Sequence, residues 1–121
     1  MSILLKEETH CLGSIKQEIT NHPAWHGKIS GLSAERLLRG RKTPYLYLLR
    51  TGENEMEYYV TFILPDLSIQ HRPFVINIAS EGWYYESVAN GGPFTSASID
   101  DVLHLIMHCG KGSNSPRVCQ K

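Results

Sequence analysis

The sequence predicts an α+β fold: a central antiparallel sheet of three main strands flanked by two helices. Three observations lead there. Strand-favouring segments recur at Tyr45 to Arg50, Glu57 to Leu64 and Ser68 to Ile76, with turn residues between them. Helical periodicity lies on either side of that block, before Gly40 and after Ser98. At 121 residues the chain is the length of one domain with one substantial core.

Each element has a local reason. Leu5, Leu12, Ile15 and Ile19 recur on one helical stripe, interrupted by Gly13, and Asn21-His22-Pro23 closes that segment. Ser30 is the expected N-cap of a short helix through Leu32, Leu37 and Leu38, stopped by Gly40. In the second strand Tyr58, Val60, Phe62 and Leu64 alternate with Tyr59, Thr61 and Ile63, the period of a pleated strand. Thr51-Gly52-Glu53-Asn54 and Pro65-Asp66 join the strands, so the expected topology is an antiparallel meander. Trp83-Tyr84-Tyr85 is the core of a short further strand, and Val88 to Pro93 is expected to be loop. Ser98 with Asp101 has the spacing of a capping box and opens a helix carrying Ile99, Val102, Leu103 and Ile106 on one stripe, with Gly110 as its stop. Residues 1–22 form an N-terminal extension with helical character, 23–110 the domain, and 111–121 a Gly/Ser/Pro-rich tail expected to be loose.

Composition narrows the function. Twelve basic and twelve acidic residues cancel. This argues against a chain-wide electrostatic footprint for nucleic acid, while leaving room for a local basic pocket. No apolar run is long enough to span a bilayer. The three cysteines are sparse and odd in number, which points to reduced thiols and a cytoplasmic location. A monomer is expected. The residues suggest no cofactor and no metal centre.

One charge stands out. The run Tyr45-Leu46-Tyr47-Leu48-Leu49-Arg50 is apolar and ends in an arginine. A buried strand tolerates a charge only with a partner. Strand parity places Leu48 and Arg50 on one face and Tyr47 and Leu49 on the other, so Arg50 points between the sheet and a helix. A guanidinium fork matches an oxyanion by donating two parallel hydrogen bonds. The turn Thr51 to Glu55 follows at once, where backbone N–H groups are placed to meet the same anion as a nest does. His71 lies two strands away. Together they form a candidate phosphate pocket. The competing account is internal pairing of Arg50 with Glu35 or Glu53.

Trp25-His26-Gly27-Lys28-Ile29-Ser30, then Ala34-Glu35-Arg36-Leu37-Leu38, Tyr47-Leu48-Leu49-Arg50, Tyr58-Tyr59-Val60-Thr61-Phe62 and Ile69-Gln70-His71 in series resemble a Src-homology-2 domain over roughly residues 24 to 109. The resemblance implies a central antiparallel sheet flanked by two helices and a phosphotyrosine-binding function in signal transduction. It carries the family's invariant arginine onto Arg50, its histidine onto His71, and its phosphate-binding loop onto Thr51, Gly52, Glu53, Asn54 and Glu55. Arg72 takes the place that usually faces the peptide residue after the phosphotyrosine. Several positions depart from the pattern. Gly31 stands where a second arginine is usual, Gly52 where the loop has a hydroxyl residue, and Pro73 where a basic residue is frequent. The region 82–98 is longer than the family's loop, so peptide preference does not carry over. Such divergence suits an unusual member, including one carried by an intracellular pathogen.

The expected function is a non-catalytic adaptor or competitive blocker that binds tyrosine-phosphorylated proteins or peptides in tyrosine-kinase signalling. The main alternative is an interaction domain that has lost phosphate binding. A cysteine phosphatase using Cys109 is a third reading, because His108-Cys109-Gly110 begins a loop that closes on Arg117. Seven residues, 110–116, separate the cysteine from the arginine where that chemistry has five, and a helix end disfavours the thiolate. A zinc site from the His-Cys pairs at 10–11 and 108–109 with Cys119 lacks the usual ligand spacing.

Overall fold

The computed structural model describes residues 13–54, 56–77, 82–87, 92–107 and 116–119. It has the expected α+β class; among the described residues there are three helices and a six-stranded mixed sheet, so the expected helical character before residue 22 and the strand at Trp83-Tyr84-Tyr85 are present and two further strands extend the sheet. In chain order the helices are α1 (13–20), α2 (Gly31–Leu38) and α3 (Ile99–Met107). The strands are β1 (Leu46–Thr51), β2 (Glu57–Ile63), β3 (Ile69–Asn77), β4 (Gly82–Ser87), β5 (Gly92–Ser96) and β6 (Arg117–Val118). The sheet order is β5-β4-β3-β2-β1-β6.

The β1–β2–β3 meander is antiparallel, with Arg50 opposite Tyr59 and Thr61 opposite His71. Its outer edge is shared. β6 runs parallel to the start of β1, through Leu46–Arg117 and Tyr47–Val118. The segment 24–27 runs parallel to the end of β1, through the bridge Trp25–Leu49 and the bond from the Thr51 N–H to the Gly27 carbonyl at 3.0 Å. The tail is therefore not loose at Arg117–Cys119, where Cys119 is buried and donates its N–H to the Tyr47 carbonyl at 2.8 Å.

The expected loop at Val88 to Pro93 is strand from Gly92 onward, pairing antiparallel with β4. Pro93 is compatible with this because β5 is the sheet edge, where a missing N–H costs no ladder bond. Pro73 obeys the same rule. It lies inside β3, but β4 begins to pair only at Val75, so the proline turns its bare nitrogen towards an unpaired stretch of edge.

The sheet has two packed faces. Tyr47, Leu49, Tyr58, Val60, Phe62, Phe74, Ile76 and Trp83 meet Ile15 and Ile19 of α1 and Ile99, Val102, Leu103, Ile106 and Met107 of α3 in the larger cluster. On the opposite face Ala34 and Leu38 of α2 pack on Leu46, Leu48, Ile63 and Cys119. Leu5 and Leu12 of the expected stripe lie outside the described residues, as does Gly110. Ser30 caps α2 as expected, its Oγ accepting the Ser33 N–H at 3.0 Å. The inward face of α2 is Ala34 and Leu38, while Leu32 and Leu37 face solvent. The box at α3 is built differently. Its first N–H, from Ile99, is accepted by Glu18 Oε1 of α1 at 2.8 Å, and Asp101 accepts from the Ser96 hydroxyl at 3.2 Å. Among the described residues no helix is long and apolar enough to cross a membrane.

Candidate functional site

Arg50 ends the buried part of β1, on the α2 face of the sheet, with only 9% of its surface exposed. Its neighbours come from three elements, β2, β3 and α2. Nε–H donates to Thr61 Oγ1 on β2 at 3.2 Å, and Nη2–H donates to His71 Nδ1 on β3 at 3.1 Å. The guanidinium carbon lies 4.6 Å from the centroid of the Tyr59 ring, also on β2. From α2, the position a Cβ on Gly31 would take is 3.3 Å from Nη2. Among the described residues no carboxylate pairs with Arg50, so neither Glu35 nor Glu53 neutralises it. Burial lowers the guanidinium's pKa, opposed by the Tyr59 phenol, yet an arginine stays charged.

Donor logic assigns the proton on His71. Arginine has only donors, so Nδ1 of the imidazole must accept. Thr61 Oγ1, 2.9 Å away, donates to the same Nδ1 while accepting from Arg50 Nε. The ring proton therefore sits on Nε2 and is donated to Glu35 Oε1 at 2.8 Å. That bond, with the charge of Arg39 nearby, holds the Glu35 carboxyl below its usual range. The chain Arg50–Thr61–His71–Glu35 thus fastens one edge of the guanidinium to three elements. The other edge is unused: Nη1 bonds to no described protein group and is not sealed from solvent.

That unused edge belongs to a cleft of about 630 Å³ lined by Lys28, Ile29, Ser30, Arg50, Thr51, Gly52, Glu53 and Tyr59. The loop wall is less receptive than a nest. The N–H groups of Thr51 and Gly52 are donated to the carbonyls of Gly27 and Glu57 at 3.0 and 2.8 Å, and that of Glu53 to Glu57 Oε1 at 3.3 Å. Asn54 is turned to holding the loop, its Oδ1 accepting the Met56 N–H at 3.1 Å. Glu55 lies outside the described residues. Gly52 has no room for a side chain, since a Cβ would meet the Glu57 carbonyl oxygen at 2.7 Å.

Among the expected site residues, the structure brings Arg50 and His71 into direct contact, sets Thr51, Gly52 and Glu53 around the cleft, and leaves Asn54 off its lining. Arg72 is exposed and lies on the opposite sheet face from His71, in the parity of Val60 and Phe74. Sequence reasoning overlooked Lys28, Tyr59 and Thr61 as site residues. The signal for the last two was present in β2: Tyr59 and Thr61 are the less apolar set of its alternation, and only the register against β1 places them beside Arg50. Cys109, His108 and the pair at 10–11 lie outside the described residues, so the phosphatase and zinc readings have no described geometry. Among the described residues no cluster of three metal-ligating side chains occurs.

The site belongs to a class defined by its chemistry: an α+β domain whose buried guanidinium pairs with no carboxylate among the described residues and lines an open cleft. No protein-family model matches the chain, and no curated protein matches it in sequence.

Proposed function

We propose that the protein is a non-catalytic, cytoplasmic, monomeric Src-homology-2-like module that binds tyrosine-phosphorylated peptides, acting as an adaptor or competitive blocker. One observation carries this reading. Arg50 is held on one edge by Thr61 and His71, has no described carboxylate partner, and turns its other edge to a cleft. An uncompensated buried cation is costly, and a dianionic phosphate is a ligand that offsets the cost. The free Nη1 and Nη2 protons suit two oxygens of one phosphate, and Lys28, which lines the same cleft, adds a second cation. A peptide extended across β3 passes the edge at His71 to Pro73, where β4 does not pair. Pro73 removes the N–H that strand addition would use there, so the peptide crosses β3 rather than extending the sheet.

The alternative of a domain without phosphate binding draws on the loop, whose first three N–H groups are already donated within the protein and whose Glu53 lines the cleft. Calorimetric titration of a phosphotyrosine peptide and its unphosphorylated twin separates the two. Binding of the phosphopeptide alone is expected. Arg50→Met should remove about 2–5 kcal/mol of binding. The same substitution should raise thermal stability, because it replaces an uncompensated buried charge by an apolar chain. Equal binding of both peptides, or full binding by Arg50→Met, refutes the proposal.

A further inference from the structure

Resting on that phosphate-binding reading, we infer that Tyr59 is a positioning residue for the ligand-binding arginine: its ring, lying against the Arg50 guanidinium, holds the fork in the orientation that meets the phosphate.

Tyr59 has no other evident task. It stands directly across from Arg50 in the β1–β2 ladder, so both side chains leave the same sheet face. Its strand neighbours Tyr58 and Val60 point the other way, into the larger core, and Tyr59 belongs to neither core cluster. Its hydroxyl makes no hydrogen bond to a described residue. The ring lies against the cation, 4.6 Å from its centroid, within the range at which a guanidinium is attracted to an aromatic face. It also lines the cleft.

The geometry explains why such a support is needed. Thr61 and His71 grip the guanidinium along the Nε–Nη2 edge, in its plane. Hydrogen bonds in the plane leave rotation about that edge poorly restrained. Gly31 of α2, close to Nη2, adds no side chain to restrain it. A flat ring on one face removes the remaining freedom and leaves only the Nη1–Nη2 edge to a ligand. A phosphate then meets two parallel donors already aligned, and pre-alignment strengthens binding by reducing what must be ordered. The requirement is for an aromatic face and not for a hydroxyl.

The test compares Tyr59→Phe and Tyr59→Leu with the unaltered protein in two measurements. The first is calorimetric binding of one phosphotyrosine peptide. Tyr59→Phe should bind within about twofold of the unaltered protein, and Tyr59→Leu roughly tenfold more weakly. The second is the Nε–Hε resonance of Arg50 in the free protein by nuclear magnetic resonance. A stacked ring shifts it upfield, so the shift should persist in Tyr59→Phe and vanish in Tyr59→Leu while the backbone spectrum stays folded. Equal affinity of Tyr59→Leu and the unaltered protein overturns the inference and leaves the phosphate-binding reading standing. Loss of affinity in Tyr59→Phe equal to that in Tyr59→Leu overturns it too, because it assigns the effect to the hydroxyl. An unaltered protein that binds no phosphopeptide overturns both.

Discussion

Arg50 and His71 show how a single proton decides what a site can do. The imidazole can accept from Arg50 only while Nδ1 is bare, and Glu35 favours this by accepting the hydrogen bond from Nε2–H, which keeps the ring proton on that nitrogen. Glu35 acts here only as a carboxylate. Its pKa in the folded protein is lowered from an ordinary value near 4.5, chiefly by the hydrogen bond from His71. A group whose folded pKa is depressed adds stability above its unfolded pKa and loses that stability as pH falls through the folded value. The stability difference between the protein and Glu35→Gln should therefore be constant above about pH 5. It should shrink as the medium is acidified below the ordinary glutamate range. Melting temperatures of the two proteins measured across that range check this; a difference that grows on acidification contradicts the assignment.

At the scale of elements, α2 has two duties that pull apart. Its inward side chains, Ala34 and Leu38, anchor it to the sheet, and Ser30 caps its first turn. Its first residue, Gly31, faces the arginine and keeps clear the space a Cβ would take, 3.3 Å from Nη2. Alanine is the better helix former by about 0.5–1 kcal/mol. The guanidinium cannot readily give way, because Thr61, His71 and Tyr59 hold it. Gly31→Ala should accordingly gain no stability, the tight contact offsetting the helix preference, while weakening phosphopeptide binding several-fold. Thermal melts with calorimetry on the same sample read both effects. Improved binding would show that the fork has more latitude than its three partners suggest.

Across the whole molecule, the sheet divides the labour. One face carries the large apolar cluster beneath α1 and α3, and the other carries a small cluster beneath α2 with the polar site beside it. The N-terminal segment is part of this plan. Ile15 and Ile19 lie in the larger core, and Glu18 accepts the first N–H of α3. Residues 13–20 are thus integral to the described core. Ile19→Ala should lower stability by about 2–5 kcal/mol through the cavity it leaves. Chemical denaturation measures this, and a loss under about 0.5 kcal/mol, the range of surface substitutions, would show that α1 only rests on the surface.

The sequence alone determined what depends on neighbours along the chain. The alternation in β1 and β2, the turn residues between them and the Ser30 cap follow from local stereochemistry, and the antiparallel meander follows from short connections. Parity alone set Arg50 on the same face as Leu48, but that α2 covers this face was decided by packing. Contacts between distant segments were decided only in the tertiary structure. Gly92-Pro93-Phe94-Thr95-Ser96 has weak strand propensity and is a strand because β4 offers it an edge. Arg117–Val118 joins β1 for the same reason. The pocket follows suit: Tyr59, Thr61 and His71 reach Arg50 through the register of three strands, and Glu35 reaches His71 through the docking of α2. Register and docking are set by the summed burial of side chains far apart in the chain, a quantity that no local pattern contains.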